Sequence, residues 1–87
     1  MTLQKKIDKL NAKFPSIAAV STVEWDGREE YPGIWFRQEG ECHTDDMPYF
    51  DYYNCNEQVH PEVQKVLEEI GMYAEPNDPG TWMAYDA

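Results

Sequence analysis

Basic residues are scarce in this chain, and most of them sit at one end. Seven of the 87 residues are Lys or Arg, against seventeen Asp or Glu, for a formal net charge of −10 and an isoelectric point near 4.3. Residues 1–14 hold Lys5, Lys6, Lys9 and Lys13 against Asp8, a local +3; the remainder holds Arg28, Arg37 and Lys65 against sixteen carboxylates, −13, and the two parts make up the −10. Such a balance lacks the cations that neutralise phosphate, so nucleic acid and anionic membrane are excluded as direct partners. No apolar run approaches the ~20 residues of a spanning helix, and Met1 to Lys6 leads into an amphipathic stretch rather than a signal-peptide core. Of the two cysteines, a Cys42–Cys55 disulfide is geometrically possible if their segments form a hairpin, whereas the expected cytoplasmic location argues for free thiols. No nucleophile elbow, phosphate loop or dinucleotide fingerprint occurs, nor any internal repeat or low-complexity tract. These absences lead to the expectation of a soluble, cytoplasmic, non-enzymatic single domain spanning 1–87, with no cofactor.

What is present is apolar and aromatic. Hydrophobic residues make up 41% and aromatics 14%, too much for a disordered acidic tail, which lacks the area to offset its ordering entropy. Leu3, Ile7, Leu10 and Phe14 recur at helical spacing, with Thr2 as N-cap and Pro15 as the stop. Ile17 to Asp26 alternates as a strand, and Asp26-Gly27 reads as a tight hairpin turn with Arg28, Glu29 and Glu30 at its tip. A second strand is expected near Tyr31–Gln38, with Trp35 and Arg37 on one face and Ile34 and Phe36 on the other. Residues 39–48 read as an acidic loop, and Tyr49 to Tyr53 as a third strand on aromatic content. Val59, Val63, Val66, Leu67 and Ile70 mark a second helix, with Pro61 in its first turn and Gly71 past its end. Glu75 to Gly80 reads as a loop and Thr81 to Tyr85 as the last strand. The expected class is α+β, in the order α-β-β-β-α-β, with a curved, mostly antiparallel sheet and both helices packed on one of its faces.

Two constellations carry potential chemistry. Cys42, His43, Cys55 and His60 supply two thiols and two imidazoles, the donors zinc takes in a tetrahedron. Their spacing lacks the close C-x2-C knuckle that orients two ligands together, so they stand as weak metal candidates, with surface histidines and a strand-end cysteine as the plainer reading. Glu39, Glu41, Asp45 and Asp46, with Asp51, offer hard oxygen ligands but do not follow the calcium-loop pattern.

The aromatics are too many for all to be buried in so small a domain. With Phe36, Phe50 and Tyr52 facing the core, Trp35, Tyr49 and Tyr53 are expected to face outward, as anchors of an interface. Size, acidity, aromatic content and lack of motifs are together similar to the small acidic inhibitors by which phages and mobile elements occupy nucleic-acid grooves. The functional expectation is therefore a non-catalytic protein that binds a basic site on a larger protein, such as a nucleic-acid-binding enzyme. Glu24, Asp26, Glu29, Glu30, Glu39, Glu41, Asp45, Asp46 and Asp51 would act as phosphate-like charges, with Trp35 and Tyr53 as apolar anchors. The competing expectations are a homodimer built on an exposed aromatic sheet face and a Cys/His zinc domain.

Overall fold

The structure is a computed structural model that describes residues 1–27, 32–38, 40–53, 58–78 and 80–87, the side chain of Asp26 excepted. Helix α1 (Leu3–Lys13) begins where expected: the Thr2 hydroxyl accepts the Lys5 N–H, and Phe14 closes the helix by donating its N–H to Leu10 O. Strand β1 (Ala19–Ser21) follows, then one helical turn, α2 (Val23–Asp26), and strand β2 (Ile34–Phe36). An irregular segment leads to α3 (Pro61–Glu69), and the chain ends in a hairpin of β3 (Met72–Asp78) and β4 (Thr81–Asp86).

The four strands form one sheet in the order β1-β2-β4-β3, every neighbour antiparallel. The α+β class holds, with β4 in the interior of the sheet. Ala19 opposes Phe36, Phe36 opposes Trp82, and Ile34 opposes Ala84, which in turn opposes Ala74. These residues, with Met72, share one face and join Ile7, Leu10, Phe14, Ile17, Val63, Val66, Leu67 and Ile70 in a single core. Both long helices therefore cover the same side of the sheet, α1 against β1 and α3 against β3. The Cα radius of gyration is 11.9 Å, against the roughly 12 Å expected for this length.

Several local elements differ from the sequence pattern, each for an identifiable reason. The first strand stops after Ser21 because side chains there offer the backbone other partners: Ser21 Oγ accepts the Val23 N–H, and Thr22 Oγ1 accepts the Gly33 N–H at 2.9 Å. Gly27 does take a left-handed φ of 75°, but it caps α2, donating to Val23 O, instead of turning a hairpin. Tyr49–Tyr53 is not a strand. Only Phe50 makes a bridge, to Val59, and Asp51 Oδ1 accepts the Tyr53 N–H to bend the chain away. Part of the expected loop at 75–80 belongs instead to β3, where Pro76 lies opposite Trp82 next to a register irregularity. Proline is tolerated there because β3 is an edge strand, and the missing N–H need not serve a second neighbour.

The free edge of β1 is occupied from within the chain. The Asn11 side chain on α1 donates to Ala19 O and accepts from Ala19 N–H, both at 2.8 Å. One amide thereby replaces a neighbouring strand at that residue and ties the first helix to the sheet.

Candidate functional site

Residues 41–51 form a small irregular hairpin folded against the start of α3. Tyr49 N–H donates to Glu41 O and His43 N–H to Met47 O, and Cys42 bridges Pro48. Asp45 and Asp46 lie at its tip, where Asp45 Oδ1 accepts the Met47 N–H and Asp46 adopts a φ of 64°. Asp is one of the few residues that enters the left-handed region without large strain. The far side of the hairpin continues through His60 N–H to Tyr49 O and Asp51 N–H to Gln58 O.

Two imidazole–carboxylate contacts pin the tip to the helix. His60 Nε2 lies 2.8 Å from Asp45 Oδ2, and His43 Nε2 lies 2.6 Å from Glu62 Oε2. The histidine side chains are 3% and 13% exposed respectively, which corrects the reading of them as surface histidines. His43 packs in an aromatic cage, with ring centroids 5.2 Å from Phe14, 5.8 Å from Tyr49 and 5.2 Å from His60. Tyr49 is itself 1% exposed, with its hydroxyl 2.9 Å from Ser16 Oγ. The expectation that Tyr49 faces outward fails because this cage draws its ring inward. Tyr52, expected in the core, is 38% exposed for the complementary reason that the turn at Asp51 carries it out.

The Asp45 carboxyl is held below its ordinary range, first by the Met47 backbone N–H and then by the His60 hydrogen bond. His60 also caps α3: its Nδ1 accepts the Glu62 N–H at 3.1 Å. Accepting there leaves Nδ1 without a proton, so the neutral ring carries its proton on Nε2 and donates it to Asp45.

That tautomer bears on metal binding. Asp45, His60 and Glu62 place one donor atom each within 4.8 Å of one another. A metal at His60 Nε2 needs the opposite tautomer, which would set Nδ1–H against the Glu62 N–H and uncap the helix. The arrangement is that of a hydrogen-bonded brace. Of the four zinc candidates, His43 and His60 are neighbours, and among the described residues the ionisable groups paired with them are carboxylates. Cys42 is an exposed free thiol, and Cys55 lies outside the described residues.

The candidate partner-binding residues divide between two surfaces. Glu41, Asp45, Asp46, Asp51 and Tyr53 belong to the hairpin and the turn after it; Tyr53 is 78% exposed, and Met47 is exposed beside the acidic tip. Glu24 and Trp35 lie elsewhere, Glu24 exposed on α2 and Trp35 half-buried on the face of the sheet away from the helices. Glu29, Glu30, Glu39 and the side chain of Asp26 are outside the described residues. The sequence reading did not single out Glu62, because its partner His43 is nineteen positions away and only the tertiary fold joins them.

Two of the four lysines of α1 are turned back on the protein. Lys6 Nζ lies 2.8 Å from Asp86 Oδ1, and Lys9 Nζ lies 3.5 Å from Glu69 Oε2. No helix among the described residues is long and apolar enough to cross a membrane. Comparison of the chain with protein-family models, curated proteins and solved structures finds no match.

Proposed function

We propose that this protein is a non-catalytic acidic binding module whose 41–53 lobe docks on a basic site of a larger protein. The observation that carries the reading is the bracing of this lobe: His43 and His60 hold the hairpin on α3 while Glu41, Asp45, Asp46, Met47 and Tyr53 remain exposed. Between positions 38 and 64 the sequence has seven carboxylates and no Lys or Arg. A fixed array of one sign loses less freedom on binding than a flexible acidic loop and steers a cationic partner toward it. Exposed Met47 and Tyr53 supply apolar contact beside the charges. A nucleic-acid groove on an enzyme is one surface of that chemistry. The pairing of Lys6 and Lys9 with the chain's own Asp86 and Glu69 leaves fewer cations to oppose such a partner.

The test is a pull-down from nuclease-treated native lysate, followed by affinity measurements on the purified captured protein over a salt series. Affinity should fall as salt rises. The double variant Glu41→Lys/Asp46→Asn leaves the two histidine contacts intact and should weaken binding by about tenfold or more. Unchanged affinity for that variant, or binding indifferent to salt, would sink the proposal.

A further inference from the structure

A second surface is separate from the acidic lobe. The sheet face opposite the helices carries Val20, Trp35 and Met83 in one cross-strand row that ends at Glu75, and Tyr85 opposite Tyr73 in the next. None of these belongs to the core cluster, but Met83 is buried at 5% exposure and Val20, Trp35 and Tyr85 are half-buried, so the open part of the face lies at its Trp25 and Tyr73 ends. Trp25, brought over by α2, packs edge-on against Trp35 at 4.8 Å. Trp25 and Tyr73 remain 45% and 44% exposed, and no long helix among the described residues covers them.

We propose that this face is where two copies of the chain meet. The argument is the sign of its charges. The acidic lobe presents one sign and repels its own copy. This face carries both: Glu75 lies beside Met83, and Arg37 follows two residues after Trp35, still tied to the β1 ladder by its N–H to Ala18 O. Both are exposed, and neither has an ion partner among the described residues. A two-fold axis sets Arg37 of each copy against Glu75 of the other, a self-complementary arrangement around an aromatic centre. A basic partner would meet Arg37 as a like charge, and a nucleic acid would find one cation on a molecule of net charge −10.

Sedimentation over a concentration series up to millimolar tests this directly. The expected weight-average mass rises from the 10.2 kDa monomer toward twice that value. The rise should be larger at about 1 M salt, with a Debye length of about 3 Å, than at about 0.1 M, where it is about 10 Å, because the long-range repulsion between two copies of net charge −10 is screened strongly while the Arg37–Glu75 pairs enclosed in the interface are screened less. Tyr73→Glu, at an exposed position off the core, should hold the protein monomeric. Arg37→Glu should weaken association about tenfold or more by replacing opposite charges with like ones. The swap Arg37→Glu/Glu75→Arg should restore it. Thermal melts that match the parent establish that each variant is folded. A monomeric mass throughout the series at both salts overturns the proposal, as does a dimer indifferent to these substitutions. Salt acts here in the opposite sense from binding at the acidic lobe, so the two readings stand or fall separately.

Discussion

Replacing Asn11 with Ala removes the clamp between α1 and the edge of the sheet. The two hydrogen bonds are both 2.8 Å long, and Ala19, which receives them, is 1% exposed. An intramolecular hydrogen bond contributes about 1 kcal/mol net, and a buried group left unpaired costs about 1–3 kcal/mol, so two such groups should lose about 2–6 kcal/mol. Alanine recovers about 0.6 kcal/mol of that through its better helix propensity within α1. The balance is a loss of about 1.5–5.5 kcal/mol, a large part of the roughly 4–13 kcal/mol available to a domain of this size. In a thermal melt this should lower Tm by about 6–44 °C. Asn11→Asp sharpens the test. It keeps an acceptor for the Ala19 N–H but turns a second oxygen toward Ala19 O, so it should be no more stable than the alanine variant at neutral pH. A drop below about 3 °C for Asn11→Ala, less than the smallest value one lost kcal/mol predicts, would refute the clamp. So would parent-like stability in Asn11→Asp.

Four further outcomes are expected. Gly33→Ala places a Cβ 2.5 Å from Ala84 O and 2.6 Å from the Tyr85 ring, so backbone as well as side chain must shift; denaturant unfolding should show a loss of about 1–3 kcal/mol. His60→Ala removes a buried ring and the α3 cap together, whereas His60→Asn retains a capping group and should recover about 1 kcal/mol of the loss in the same assay. Added zinc should leave the melting temperature of the parent unchanged, because binding at His60 Nε2 would uncap α3; a clear upward shift would contradict the tautomer argument. Asp45 has a lowered folded pKa, so its stabilisation is present above the unfolded value near 3.8 and is lost as pH falls through the folded one. Asp45→Asn should therefore flatten the acid limb of the stability–pH curve, and an acid limb identical to the parent's would exclude that contribution.

Local chemistry was legible wherever a residue's own neighbours decide its conformation. Thr2, Pro15, Pro61 and Gly71 bound the two long helices as read, because caps and backbone restrictions act within one turn. The apolar spacing of Ile7 and Leu10, and of Val63, Val66 and Leu67, identified the buried helix faces. The same local logic erred at Tyr49–Tyr53, where aromatic content suggested a strand but the Asp51 side chain bends the chain. It erred also at β3, where Pro76 reads as a loop unless the strand is known to lie at an edge.

The candidate site was legible in its charge and not in its shape. The acidic stretch from 38 to 64 is visible in composition, but no spacing rule shows that His43 and His60 leave the surface to brace it. Composition, the positions of the two long helices and the α+β class follow from the sequence by itself, because propensity, capping and apolar periodicity operate over a few residues, whereas the short α2 reads as strand. The tertiary structure alone decided the strand order, the inward turn of Tyr49, the pairing of Lys6 with Asp86 and the His43–Glu62 contact. Each joins groups far apart along the chain, and such contacts form only when burial of the shared core brings their elements together.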